Sequence, residues 1–417
     1  MNKEKILALT ETWNECFFYA FIFFTPIGNA GGEICFGFLA LCFVIRKILR
    51  PDFRFLKQTE HLWLLLFFVF CGLSLVNSGP FLQKSLKALF LKWGEYAMVF
   101  LFVREMLTSP AKLKRAGWAI LIVAAIIGVD SLVQFFTGHD LFYARPAFPG
   151  PNYHALTATF KNPNNLASYL GFVTPMALAM AATATTQKSR WIFWTLTIAL
   201  GTCLLLTFSR GGWIGFIGGL VLMILVSRRW KVLLPVLVVF VSIILMNASL
   251  ATRALPVLSL ATRALPVLSL ATDQPTDSSF SERSKILGIG VQLVRENPFL
   301  GKGLGTFMDY CGQRAVNTHT DYAHNCYLQM WAESGIFSLL AFLLFLGTLL
   351  GKGIQAFKRT KDPLLLGLLS GIFAFSIHSF FDTQLYSVAQ SFLFWSMLGI
   401  LAAASQNNVP PPQKPGR

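Results

Sequence analysis

The chain alternates long apolar runs with short polar connections, and that alternation admits very few folds. A helix needs about 20 mostly apolar residues to cross the hydrocarbon core of a bilayer. Runs of that kind begin near Thr12, Gly31, His61, Lys84, Arg115, Asn165, Trp191, Gly211, Trp230, Cys326, Pro363 and Tyr386. Lipid offers no partner for backbone N–H and C=O groups, so such runs must be helices or strands of a closed barrel. Forty Phe and ten Trp, without alternating polar positions, favour helices. With 54% hydrophobic and 13% charged residues and a mean hydropathy of +0.58, the chain has too little polar surface for a soluble globule. The expectation is an all-α integral membrane protein with about twelve transmembrane helices. The first run lacks a small-residue cleavage site and leads straight into a second, so it reads as a retained helix.

The formal net charge of +16 would suggest a nucleic-acid partner in a soluble protein. Here the basic residues fall on alternate connections: Arg46, Lys47, Arg50, Arg54 and Lys57, then Arg104, Lys112, Lys114 and Arg115. The same side receives Lys188 and Arg190, then Arg228, Arg229 and Lys231, then Lys352, Lys358, Arg359 and Lys361. The positive-inside rule puts these connections, and both termini, in the cytoplasm. The charge thus reports topology, and no nucleic acid is expected to bind.

One connection breaks the pattern. The expected organisation is residues 1–248 as nine transmembrane helices, 249–325 as a large outward-facing loop, 326–404 as three more helices, and 405–417 as a disordered cytoplasmic tail. A loop of that length in a compact protein is more often functional than structural. It opens with a tandem decapeptide, Ser249–Leu258 repeated as Ser259–Leu268, which reads as a duplication in a tolerant segment. Cys311 and Cys326 lie near the outer face and could pair if that compartment is oxidising, while Cys16, Cys35, Cys42, Cys71 and Cys203 sit in apolar runs as small hydrophobes.

Several charged residues then fall on the outward side. Arg210 terminates one helix there, Asp382 stands at the end of another, and the connection Arg145–Asn165 carries His154 and Lys161. The loop adds Arg283, His319, Asp321 and His324. An arginine at a helix end is commonly an interfacial snorkelling residue, and a lone loop histidine is commonly solvated. Their convergence points elsewhere: arginine forks bind phosphate oxygens bidentately, and a neutral histidine accepts a proton near pH 7. Gly301–Gly305 lacks the ending of a phosphate loop and reads as a turn. His319, Asp321 and His324 lack helical zinc spacing, so no metal and no cofactor is expected. Lys92 and Glu95, inside an apolar run, are expected to pair.

Five segments carry a resemblance. His324-Asn325, nine residues and then Gly335 resemble the signature of the bacterial O-antigen ligase and polymerase superfamily. Glu296–Phe307 resembles that family's Pro-x-x-Gly-x-Gly-x-x-x-Phe turn, Ser281–Arg283 its loop arginine, and Ser209–Gly211 and Phe160–Ala167 its earlier blocks. The decapeptide repeat departs from the family pattern. The resemblance implies a GT-C-like, metal-independent, inverting glycosyltransferase in the bacterial inner membrane, with its site facing the periplasm. Its implied donor is a glycan on undecaprenyl pyrophosphate, and its acceptor is lipid A-core, a growing glycan or a protein. Arg210 and Arg283 would hold the pyrophosphate and His324 would orient or deprotonate the acceptor hydroxyl. Asp382 would assist, and Asn325, Arg145 and Asn165 would help bind substrate. Ligation to lipid A-core is the first expectation, with polymerisation or protein O-glycosylation as alternatives within the family. A lipid-linked glycan transporter or flippase is the alternative outside it, although no two matching halves are evident.

Overall fold

Helices form where the apolar runs lie, and local chemistry sets their ends. The computed structural model describes residues 3–52, 58–149, 154–246, 278–314 and 322–407. In chain order the helices are α1 (Lys3–Phe24), α2 (Asn29–Leu49), α3 (Thr59–Ser74), α4 (Leu82–Ala88), α5 (Gly94–Met106), α6 (Pro110–Thr137), α7 (Pro163–Thr183) and α8 (Gln187–Leu206). They continue as α9 (Arg210–Ser227), α10 (Trp230–Met246), α11 (Ser278–Glu296), α12 (Phe307–Arg314), α13 (Cys326–Thr360), α14 (Pro363–His378) and α15 (Val388–Asn407). A two-stranded ribbon, β1 (Phe148–Pro149) against β2 (His154–Ala155), lies in the α6–α7 connection.

Side-chain oxygens of Ser109, Asn162, Thr186, Ser209, Asn325 and Asp362 cap α6, α7, α8, α9, α13 and α14. Each accepts a first-turn N–H that the helix itself cannot satisfy. Proline opens α6, α7 and α14, where its missing N–H costs nothing.

A helix lies at every expected apolar run, but the runs are not alike. Among the described residues seven helices are long and apolar enough to cross a membrane: Thr59–Asn77, Pro110–Thr137, Pro163–Thr183, Gln187–Leu206, Arg210–Ser227, Cys326–Thr360 and Val388–Gln406. Trp230–Ile244 and Pro363–His378 are apolar but shorter. The run near Lys84 is broken: α4 gives way to a π turn, Leu89–Trp93, before α5 begins. Lys92 sits in that π turn, exposed, and the expected pair with Glu95 does not form, because i to i+5 bonding displaces a partner three residues on.

α7 and α15 are the most enclosed helices, with 83% of each span buried, whereas α8 is 28% buried and borders the bundle. Aromatic contacts fill the centre: Phe100 meets Phe345 edge-on at 5.3 Å, and Phe345 stacks on Trp395 at 5.6 Å. α9 approaches α14 closely along Gly211, Gly215 and Gly219, one residue per turn. A Cβ at Gly215 would lie 2.5 Å from the Ala374 carbonyl oxygen, and one at Gly219 would lie 2.7 Å from that of Ser370.

The long connection between α10 and α13 carries folded structure. α11 and α12 pack on the start of α13 through a small second core of Ile286, Ile289, Leu293, Phe307, Cys311, Ala323 and Ala332. Cys311 and Cys326 are buried thiols in two different clusters, and among the described residues no disulfide joins them. The decapeptide repeat, His319 and Asp321 lie outside the described residues. At the chain's end α15 runs through Asn407, so the segment from Ser405 begins as helix.

Candidate active site

His324 and Asp382 come from separate parts of the chain and meet at one end of the bundle. α7, α9, α13 and α15 all begin at that end, while the basic connections with their ion pairs, such as Lys47–Glu105 and Lys112–Glu15, lie at the other. The backbone N–H of Cys326 donates to the Ser379 carbonyl at 2.8 Å, and the Tyr327 hydroxyl donates to the Ser376 carbonyl at 2.8 Å. The first turn of α13 is thus moored to the last turn of α14. His324 precedes that turn with φ +50°, a left-handed conformation uncommon for a residue with a Cβ and characteristic of functional positions.

From there its Nδ1 reaches Asp382 Oδ1 at 3.3 Å, with the two side chains 16% and 11% exposed. A carboxylate can only accept, so the contact places the imidazole proton on Nδ1 and leaves Nε2 with its lone pair. Nε2 is buried and has no hydrogen-bond partner among the described residues. Asp382 Oδ1 also accepts from the Thr383 N–H at 2.8 Å, and Oδ2 accepts from Gln384 Nε2 at 3.3 Å. Burial opposes ionisation of Asp382, but His324, the nearby His378 and the Thr383 N–H outweigh it and hold the carboxyl well below its ordinary range. Asp382 therefore stays charged and orients the histidine.

Arg210 is the first residue of α9 and half-buried. Its neighbour Gly211 lies against His378 and Phe381, where a Cβ would come within 2.8 Å of both side chains. The glycine stripe of α9 thereby brings Arg210 beside the α14 terminus that carries Asp382. Arg283 is half-buried on α11, one turn before Ile286, on the face whose apolar residues pack against Ala323. Arg210 thus stands beside the α14 terminus, and Arg283 lies on the α11 face that packs against Ala323.

The remaining expected residues take varied places. Asn325 caps α13, its Oδ1 accepting from Tyr327 and Leu328 N–H at 3.0 Å each, so that oxygen is committed to the backbone. The Asn165 carbonyl accepts from Gln390 Nε2 at 3.0 Å, and Gln384 ties Asn164 toward Asp382, so this segment borders the site. Arg145 braces its own connection: Nη1 donates to the Thr159 carbonyl at 2.7 Å and the guanidinium lies 3.9 Å from the Tyr143 ring centroid. Among the described residues no contact joins Arg145 to His324 or Asp382. Lys161 and His154 are exposed.

The structure adds a residue not singled out beforehand. Glu333 on α13 is buried, and its carboxylate accepts from the N–H of Gly305 at 2.9 Å and of Phe307 at 3.3 Å. The Gly301–Gly305 segment is a turn, as its sequence suggests, with positive φ at Gly301, Gly303 and Gly305. Its Lys302 and Gly303 N–H groups donate to the carbonyls of Ala332 and Glu333 at 2.9 and 2.8 Å, where α13 kinks at Gly335. Those amides serve the helix and are not offered to a phosphate. A carboxylate in an otherwise apolar helix was the available signal for Glu333, the same signal that marked Glu95.

Fold and site define a multi-pass membrane protein with a histidine–carboxylate pair at one end of its bundle. Residues 195–343 match the family described as O-Antigen ligase, a stretch that includes Arg210, Arg283 and His324. The match covers about a third of the chain and supports a likeness to the O-antigen ligase and polymerase superfamily. No curated protein matches the chain.

Proposed function

We propose that the protein is an inverting, metal-independent glycosyltransferase that moves a glycan from undecaprenyl pyrophosphate to lipid A-core at the periplasmic face of the bacterial inner membrane. The observation that carries the reading is the His324–Asp382 pair, whose geometry leaves Nε2 of His324 as an oriented base. The acceptor hydroxyl would give its proton to Nε2 as its oxygen attacks the anomeric carbon. The bond from that carbon to the pyrophosphate oxygen would break, and undecaprenyl pyrophosphate would leave with the bonding electrons. A single displacement of this kind inverts the anomeric centre and needs no enzyme nucleophile. The imidazolium formed on His324 would be stabilised by the Asp382 carboxylate.

Arg210 and Arg283 suit the charge that develops on the leaving group, since guanidinium forks pair with phosphate oxygens. The positive ends of α7, α9, α13 and α15 lie at the same end of the bundle and favour an anion there. Asn165 and Asn325 border the space and would contact the glycan, and Arg145 would act through the connection it braces. With the site outward, the basic connections lie in the cytoplasm together with both termini.

The test is transfer in liposomes from undecaprenyl-pyrophosphate glycan to lipid A-core, comparing wild type with His324→Ala and Arg210→Ala. Transfer by wild type and loss in both folded variants is expected. Release of undecaprenyl pyrophosphate with elongation of the donor glycan, or with labelling of a protein, would replace the acceptor in this reading. Full activity in the His324 variant would remove the mechanism, and movement of donor across the bilayer without release would make the protein a transporter.

A further inference from the structure

Between Glu333 and Ala323, the residue before His324, runs a continuous chain of hydrogen bonds that the chemistry above does not use. Glu333 Oε1 accepts from Gln329 Nε2 at 3.1 Å, and Gln329 Oε1 accepts from the backbone N–H of Ala323 at 3.2 Å. Glu333 and Gln329 are each 1% exposed. Two residues beyond His324, the Cys326 N–H is bonded to Ser379. The left-handed residue His324 is therefore held between two pinned backbone amides, one by Gln329 and one by α14.

The direction of the Gln329 amide matters. Its two ends are nearly the same size, and a flip would turn its NH2 toward the Ala323 N–H, donor against donor. Both Glu333 oxygens already accept backbone N–H groups, Oε2 from Gly305 and Oε1 from Phe307, so Glu333 faces Gln329 as an acceptor and holds the NH2 end of Gln329 toward itself and the oxygen toward Ala323. The same carboxylate fastens the glycine turn through Gly305 and Phe307.

We propose that Glu333 is a positioning residue: through Gln329 it sets the backbone at Ala323 and thereby the alignment of His324 on Asp382. It does not touch substrate. The inference deepens the glycosyltransferase reading and rests on it for the effect on rate, but the positioning itself is measurable without any reaction.

Two variants isolate the relay. Glu333→Gln keeps size and restores a donor, which frees Gln329 to turn; Gln329→Met keeps volume and removes the acceptor for Ala323. Both are compared with wild type for modification of His324 by diethyl pyrocarbonate, read by peptide mass spectrometry, with the exposed His139 and His154 as internal references. Loss of one neutral hydrogen bond corresponds to a shift of roughly 2- to 10-fold in the conformational equilibrium, so His324 should react faster by about that factor in either variant. Turnover should fall by a comparable factor while KM for the donor lipid is unchanged, because the arginines are untouched.

A purely structural role for Glu333 would lower thermal stability in Glu333→Gln without a matching change from Gln329→Met in His324 reactivity. Unchanged reactivity in both folded variants overturns the proposal, as does a rate loss in Glu333→Gln with His324 reactivity at the wild-type value. If Glu333→Gln does not fold, Gln329→Met alone decides. Altered His324 reactivity in a protein whose wild type shows no transfer would leave the relay standing and remove the glycosyltransferase reading.

Discussion

Replacing Asp382 by Asn isolates charge from shape at the centre of the site. Oδ1 accepts from the rigid Thr383 N–H at 2.8 Å, so the amide oxygen of the variant should take that position and still accept from His324. The new NH2 then faces Gln384 Nε2, 3.3 Å from Oδ2 in the wild type. That clash is relieved if Gln384 turns its amide, because Gln384 Oε1 is buried with no partner among the described residues and can receive the new donor. The turn gives up only a marginal 3.5 Å bond to the Asn164 carbonyl. Shape and hydrogen-bond count are thereby nearly conserved, and the missing element is the negative charge facing the imidazolium. A hydrogen bond to a charged group is worth about 1.5–3 kcal/mol, against about 1 for a neutral one. If that difference of about 0.5–2 kcal/mol is gained only as the proton reaches His324, turnover should fall roughly 2- to 30-fold, with KM for the donor little changed. The assay is initial-rate glycan transfer in liposomes with the melting temperature of the same preparations. A rate within about twofold of wild type at unchanged melting temperature would mean that Asp382 does not support charge on His324.

Other perturbations follow from the same geometry. Because Asp382 is held below its ordinary value of 3.8 in the folded state, its contribution to stability is complete above that value and is lost as pH falls from 3.8 to about 2. Thermal melts across that window should therefore show a steeper acid loss for wild type than for Asp382→Asn. Gly335→Ala places a Cβ 1.9 Å from the Phe299 carbonyl oxygen at φ +81°, so it should cost several kcal/mol and yield little monodisperse protein on size exclusion. Gly215→Leu should force α9 from α14, lowering the melting temperature and abolishing transfer together, because Arg210 moves with α9. Asn325→Ala removes a helix cap worth about 1 kcal/mol, whereas Asn325→Asp should retain melting temperature.

The resemblance quoted from short motifs drew His324, Arg210, Arg283 and Asp382 together on paper, and the structure brings the first and last into contact. It does so through Ser379 and Cys326, two residues with no chemical signature of their own. Lys92 and Glu95 show the opposite case: spacing predicts a pair, and a π turn, which depends on the packing of neighbours, removes it. Asn325 was legible as part of a motif, but its cap role emerges only where α13 actually begins.

What this sequence determines by itself is what bilayer physics makes local. Apolar runs must become helices because their backbone polar groups have no other partner, and prolines, serines and asparagines mark where the helices start. What only the tertiary structure decides is which ends meet. The His324–Asp382 contact, the approach of Arg210 along a glycine stripe, and the Glu333–Gln329 chain each join residues through packing and close hydrogen-bond geometry. Residue spacing along the chain carries no record of those distances, since helices of similar composition can pack in many orders and only the folded arrangement selects one.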